Sequence, residues 1–280
     1  MRILLAYDGS AGAEAARDLV AHLPIPDGSA ITLVTALERG PDLFGAPEFA
    51  VVPHDATEAE GLLLADLQDM LRSASAALRG PTRTVDTRVV RGRPASAILD
   101  EAHAIQPDLL VVGSRGHGPF ASVLLGSIST EIVDHAPCPV LVARHPAVHQ
   151  MVVGVDGSAS SAHALEVLAR WRMFNGLPAR VVSVAADGGG WASSMGGGFY
   201  PAWVDLRAPH RADEHEELLA VSRRAADELL GAGMAATLEL RHGDPAHELI
   251  GAATAAGADL IVVGSRGLST LPRLLLGSVA

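Results

Sequence analysis

The chain contains no lysine, and all 21 of its basic residues are arginine. That excludes a P-loop, whose lysine reaches the β/γ-phosphates, and any chemistry built on a lysine Schiff base. There is one cysteine, Cys138, so neither an intrachain disulfide nor a thiol-based metal site can be assembled. The twelve histidines are scattered, with no H-E-x-x-H or comparable metal pattern. His103, His163 and His247 fall on predicted helices and read as surface or packing residues. No apolar run approaches the ~20 residues of a membrane span. The opening Met1-Arg2-Ile3-Leu4-Leu5-Ala6-Tyr7-Asp8 lacks a signal peptide's apolar core and small-residue cleavage site, so a cytoplasmic location is the expectation. A net charge of −11 without a basic stripe argues against a nucleic-acid polymer as partner. A small anion held by backbone amides is compatible with all of these absences.

What is present is a globular composition, 49% hydrophobic over 280 residues, enough for two domains with separate cores. Ile3 to Tyr7 reads as a strand buried on both faces. Asp8-Gly9-Ser10 then turns the chain into a helix from Ala11 to about His22, with Ser10 as a plausible N-cap. A strand over Ile31 to Leu37, a loop to His54 and a long helix to about Leu78 follow. Thr82 to Val90 alternates polar and apolar residues, as an edge strand does. Pro94 suits the first turn of the next helix, which ends near Ile105. Asp108 to Gly113, a helix from Gly126-Ser127, and Pro139 to Ala143 complete the unit. Alternating strands and helices predict a parallel α/β sheet with helices on both faces.

Met151-Val152-Val153-Gly154-Val155-Asp156-Gly157-Ser158 then restates the opening strand and turn. Asp8 to Gly113 spans 105 residues and Asp156 to Gly264 spans 108, which makes the chain a tandem duplication. The expected domains are residues 1–144 and 151–280, joined by a linker over 145–150. Two differences separate the copies. The loop from Asp187 to His210 in copy two is longer and carries Trp191, Phe199, Tyr200 and Trp203, either a lid or a solvated surface loop. Copy two also has only Val279 and Ala280 after Ser278, where copy one continues from Ser127 to Arg144, so its last helix and fifth strand are missing from this sequence. The expectation is that another segment covers the bared edge or that this half is less stable.

The chemistry lies in a stretch that occurs twice. Gly113-Ser114-Arg115-Gly116 is followed after nine residues by Gly126-Ser127, and Gly264-Ser265-Arg266-Gly267 after the same gap by Gly277-Ser278. Each follows an apolar strand, at the carboxyl end where open α/β sheets bind ligands. Gly113 and Gly116 would let backbone amides approach an anion, and Gly126-Ser127 would offer a helix N-terminus to phosphate. A tight structural turn is the alternative, and recurrence at one spacing favours phosphate. Asp8 and Asp156 end the first strands, where a carboxylate could accept hydrogen bonds from an adenine amino group or a ribose hydroxyl, or cap a helix.

The strand-Asp-Gly-Ser opening, Val-Val-Gly-Ser-Arg-Gly and the G-x2-G-x9-G-S spacing resemble the universal stress protein family, in its tandem, ATP-binding form. The resemblance implies two tandem open parallel five-stranded sheets of order 3-2-1-4-5, the second lacking its last helix and strand, and dimerisation through the fifth strand. It implies ATP, accompanied by Mg2+, as ligand. Asp8 and Asp156 would contact the adenine or ribose side, and Ala36 and Val184 would offer backbone contacts to adenine. Gly113, Arg115, Gly116, Gly126 and Ser127 would hold ribose and phosphates in copy one, and Gly264, Arg266, Gly267, Gly277 and Ser278 in copy two. His117 faces Leu268 at matching positions, so the phosphate ends would differ. The expected function is a nucleotide-binding stress regulator acting through conformation, homodimerisation or association of its two domains. The alternative is a slow ATP hydrolase or nucleotidyl transferase. The sequence has no G-x-S-x-G nucleophile elbow and no evident base beside a phosphate site, so any ATPase activity should be slow and incidental.

Overall fold

The computed structural model describes residues 1–38, 54–114, 125–185 and 208–265. The chain divides into unit 1, Met1–Ala147, and unit 2, Val148–Ala280.

Unit 1 runs β1 (Arg2–Ala6), α1 (Ala11–His22), β2 (Ala30–Leu37), α2 (His54–Ala76), β3 (Thr84–Arg91), α3 (Pro94–Ile105), β4 (Leu109–Gly113), α4 (Ser127–His135) and β5 (Val140–Ala143). The five strands are parallel, in the order β3-β2-β1-β4-β5. β1 is central because its residues are apolar on both pleat faces: Ile3, Leu4 and Leu5 are all at most 1% exposed. Each such side chain contributes about 1.5–3 kcal/mol on burial. On one face Leu4, Val34 and Leu110 pack with Ile98 of α3 and Ile132 of α4. On the other lie α1 and α2. β3 takes the edge, where its Asp86, Thr87 and Arg88 are exposed. The strand order reverses between β1 and β4, so a crevice opens above their carboxyl ends.

Unit 2 repeats the plan with β6 (Met151–Gly154), α5 (Ala159–Arg170), β7 (Pro178–Ala185), α6 (Ala208–Gly231), β8 (Ala235–His242), α7 (Pro245–Ala256) and β9 (Leu260–Val262). Its described strands form a four-stranded sheet, β8-β7-β6-β9. Ile261 of β9 is 40% exposed, whereas Leu110 at the matching position of β4 is fully buried under α4 and β5. The aromatic loop from Asp187 falls mostly on 186–207, outside the described residues.

Both units fasten the start of the first strand to an aspartate that precedes the fourth. Asp108 accepts the Arg2 amide at 2.7 Å. Asp259 accepts the His149 amide at 2.9 Å, the Gln150 amide at 3.2 Å and His149 Nδ1 at 2.9 Å. Burial alone would raise the Asp259 carboxyl, but these hydrogen bonds outweigh it and hold the group below the ordinary carboxylate range. A depressed carboxyl stabilises the fold above its unfolded pKa of about 3.9, and that contribution is lost as pH falls through the folded value. Unit 2 of Asp259→Ala should therefore lose roughly 1–2 kcal/mol at pH 7 and show a flatter fall below pH 4. Urea titrations at stepped pH measure both, and parallel curves for variant and wild type would refute the assignment.

Candidate functional site

Asp8 and Asp156 leave the ends of β1 and β6 into identical turns. Gly9 and Gly157 take φ of +76° and +79°, values that favour glycine. The Ser10 amide donates to Asp8 Oδ1 at 3.0 Å, and the Ser158 amide to Asp156 Oδ1 at 2.9 Å. The helix cap is the serine: Ser10 Oγ accepts the Ala13 amide at 3.3 Å and Ser158 Oγ the Ser161 amide at 3.1 Å. Capping by Asp8 or Asp156, one of the two roles their position suggests, therefore falls to the residue two places on. Burial would raise the Asp156 carboxyl, but hydrogen bonds from Ser158 and Ser161 outweigh that and leave it below the ordinary range.

The first glycine of the motif has a packing role. A Cβ on Gly113 would lie 2.4 Å from the carbonyl carbon of Gly12 and 2.7 Å from the Ala13 amide nitrogen, in the first turn of α1. A Cβ on Gly264 would lie 2.7 Å from backbone atoms of Ser160 and Ser161. Glycine is required here so that the helix can rest on the strand end, and the missing Cβ points at protein rather than at a cradle. The second part of the motif is different. Gly126 is the N-cap of α4 at φ −71° and ψ 155°, with no side-chain capping bond. Its amide donates to the Ser114 carbonyl at 2.9 Å, closing the ends of the 115–124 segment together. Ser129, buried one turn inside α4, donates its hydroxyl to the Gly113 carbonyl at 2.7 Å and locks α4 onto β4.

Above this junction lies a cleft with about 600 Å³ of free space, its open mouth included. Its lining brings together Asp8, Ala36 and Gly113 with Tyr7, Thr35 and Ser129. Pro94 and Ile98 of α3 and Ile128 of α4 form its walls. Val34 gives its carbonyl to the Tyr7 amide at 2.9 Å. Two residues further, Ala36 turns its amide and carbonyl to the same side, where β1 no longer runs beside it, so both face the cleft. Tyr7 is 5% exposed and donates its hydroxyl to Glu14. Burial, then the Glu14 hydrogen bond and charge, push it up to about 12, so it serves as a neutral donor at physiological pH.

Gly126 and the exposed Ser127 are not in the cleft's lining; they directly precede Ile128, which is, at the start of α4. Arg115, Gly116, Arg266, Gly267, Gly277 and Ser278 lie outside the described residues, as do His117 and Leu268. In unit 2, Gly264 abuts α5, Val184 is half-buried at the end of β7, and Asp156 holds its turn. Sequence reasoning missed Tyr7, Thr35 and Ser129. Tyr7 and Thr35 each neighbour a chosen residue, and Ser129 lies two places beyond Ser127, but their burial in one cleft is tertiary information. His103, His163 and His247 are exposed, as expected. Cys138 is half-buried, and burial pushes its thiol up to about 11, the opposite of a reactive thiolate. Among the described residues no three His, Cys, Asp or Glu side chains gather to hold a metal, and no helix is long and apolar enough to cross a membrane.

A family model, universal stress protein family, matches the chain twice, over residues 1–144 and 148–280. The chain belongs to the universal stress protein family. A universal stress protein of Thermus aquaticus is 38% identical over 142 residues, covering 51% of this chain and 97% of that one. Another, from Mycolicibacterium smegmatis, is 30% identical over 207 residues, covering 70% of this chain, which spans 64% of the relative's length. The solved universal stress protein from Archaeoglobus fulgidus shares the fold at a TM-score of 0.61 and 18% identity, over 96% of this chain and 89% of that one. The chain is thus a tandem universal stress protein with two parallel α/β sheets, one of five strands and one of four among the described residues.

Family membership makes the differences between the two units informative. α3 begins after Arg93, which offers no side-chain cap, whereas α7 begins after Asp244, whose carboxylate accepts the His247 amide at 2.9 Å. Where unit 1 has Gly12 and Ser114, unit 2 has Ser160 and Ser265, with their hydroxyls 3.4 Å apart. Val184 stands where unit 1 has Ala36.

Proposed function

We propose that this universal stress protein binds an adenine nucleotide, ATP first among them, in the cleft of unit 1, and acts as a nucleotide-dependent regulator in the stress response. The observation that carries the reading is the junction of β4 and α4. There Gly126 starts a helix with no side chain over its first amides, beside a cleft at the switch point of the sheet. Asp8 and the backbone of Ala36 suit the base and ribose, and the apolar walls suit a planar ring. Gly126 and Ser127, with Arg115 and Gly116, suit the phosphates. Mg2+ would arrive as the counter-ion of the phosphates, held by them and water. Unit 2 would be the weaker site. Asp244 puts a negative charge at the start of α7, where unit 1 has Arg93.

Occupancy would be read through conformation or association. The outer edge of β5 has no strand beside it among the described residues and would serve a homodimer. The deciding experiment is mass spectrometry of small molecules released when the purified protein is denatured, with calorimetric titration of ATP. Co-purifying adenine nucleotide or saturable ATP binding is expected. A nucleotide-free protein that gives no heat with ATP or adenosine would overturn the reading.

A further inference from the structure

We infer that Arg93 is the residue by which unit 1 distinguishes a di- or triphosphate tail from an uncharged nucleoside, with Glu131 as the internal anion it gives up. The inference rests on the nucleotide reading of the cleft and adds to it a residue outside the glycine motif. Arg93 directly precedes Pro94, and Glu131 lies one helical turn beyond Ile128. Pro94 and Ile128 both line the cleft. The Arg93 guanidinium therefore reaches from the start of α3 to α4 at the cleft mouth, where its Nη2 stands 3.7 Å from Glu131 Oε2. Its side chain is 76% exposed and Glu131's 36%, and 3.7 Å is loose for a charge-assisted contact, so the pair can open at little cost. A terminal phosphate group, with more charge and more acceptor oxygens than one carboxylate, is the better partner for a guanidinium fork.

The second copy supplies the contrast. Its residue at the same place is Asp244, which fills the N-terminus of α7 with its own carboxylate. At the residue before the proline that lines the cleft, a guanidinium in one unit is thus a carboxylate in the other. The surrounding Gly-x-Pro turn keeps its form, with Gly92 and Gly243 at φ of +134° and +133°. The backbone is thus retained while the charge is inverted, which points to ligand charge as the property that differs.

Calorimetric titrations of the full chain with ATP and with adenosine test this in wild type, Arg93→Gln and Glu131→Gln. The expected result is opposite signs for ATP. Arg93→Gln weakens the tighter ATP site roughly three- to tenfold. Glu131→Gln strengthens it by a few-fold, and adenosine is unaffected by either. Thermal midpoints should barely move, since both groups are solvated. A pair that only staples α3 to α4 would make both variants shift in the same direction and change ATP and adenosine alike, and that result would overturn the inference. Equal wild-type affinity for ATP and adenosine would overturn it too, while leaving the nucleotide reading standing. Binding of neither compound would remove both.

Discussion

Replacing Gly113 by alanine is expected to destabilise unit 1 by about 3 kcal/mol while leaving unit 2 almost untouched. The methyl group would be placed 2.4 Å from one backbone carbon and 2.6 Å from the carbonyl oxygen of Gly12. Neither can move as a side chain does, since both belong to the first turn of α1, which Ser10 caps. The strain must be relieved by lifting α1 from β4, which costs part of the contact between Leu19 and Val20 and the sheet. Gly264→Ala should produce a smaller loss in unit 2, because its contacts are 2.7 Å or longer and one is the rotatable hydroxyl of Ser160. The protein provides a convenient reporter. All three tryptophans, Trp171, Trp191 and Trp203, belong to unit 2, so fluorescence follows that unit and circular dichroism follows both. In urea, Gly113→Ala should shift the transition that is silent in fluorescence. A variant whose two transitions match wild type would show that the close approach of Gly113 to Gly12 is not required.

Much of the fold was legible because its signals are local. The apolar runs Ile3–Tyr7 and Leu109–Val112 have the composition of strands buried on both faces, and the structure puts them side by side at the centre. Ser10 and Pro94 announce helix starts through chemistry confined to a few residues, and both helices begin there. The 1-4 reversal followed from the family resemblance rather than from any one segment. The roles of the glycines were less legible. Gly113 and Gly126 look alike in a motif, yet one is fixed by a helix about a hundred residues earlier in the chain and the other by a turn of its own. Nothing local to Gly113 encodes Gly12. Tyr7 is a similar case: its partner Glu14 is seven residues on, but only the fold shows that Tyr7 lines a cleft. The difference between Arg93 and Asp244 was visible in the aligned copies. It acquired meaning only when α3 and α4 were seen to flank one mouth.

Gly126→Val should give the converse of the Gly113 result, a folded protein that has lost its ATP site in unit 1. At φ −71° and ψ 155° the residue occupies extended backbone that valine adopts readily, so no conformational reason demands glycine. Its amide can still reach the Ser114 carbonyl, and its carbonyl can still accept from the Thr130 amide and hydroxyl. The stability change should stay within about 1 kcal/mol, since glycine and an apolar residue differ little more than that at an N-cap. If phosphate lies against the first turn of α4, however, an isopropyl group would displace it from amides whose hydrogen bonds to a charged oxygen are worth ~1.5–3 kcal/mol each. Loss of even two such bonds lowers affinity by at least a hundredfold, on the order of 3 kcal/mol. Calorimetric titration of the full chain should therefore lose the tighter ATP isotherm while the urea transitions stay in place. ATP binding at wild-type affinity would mean that Gly126-Ser127 is a turn and nothing more, and a joint loss of stability and binding would assign Gly126 to packing, as Gly113 is.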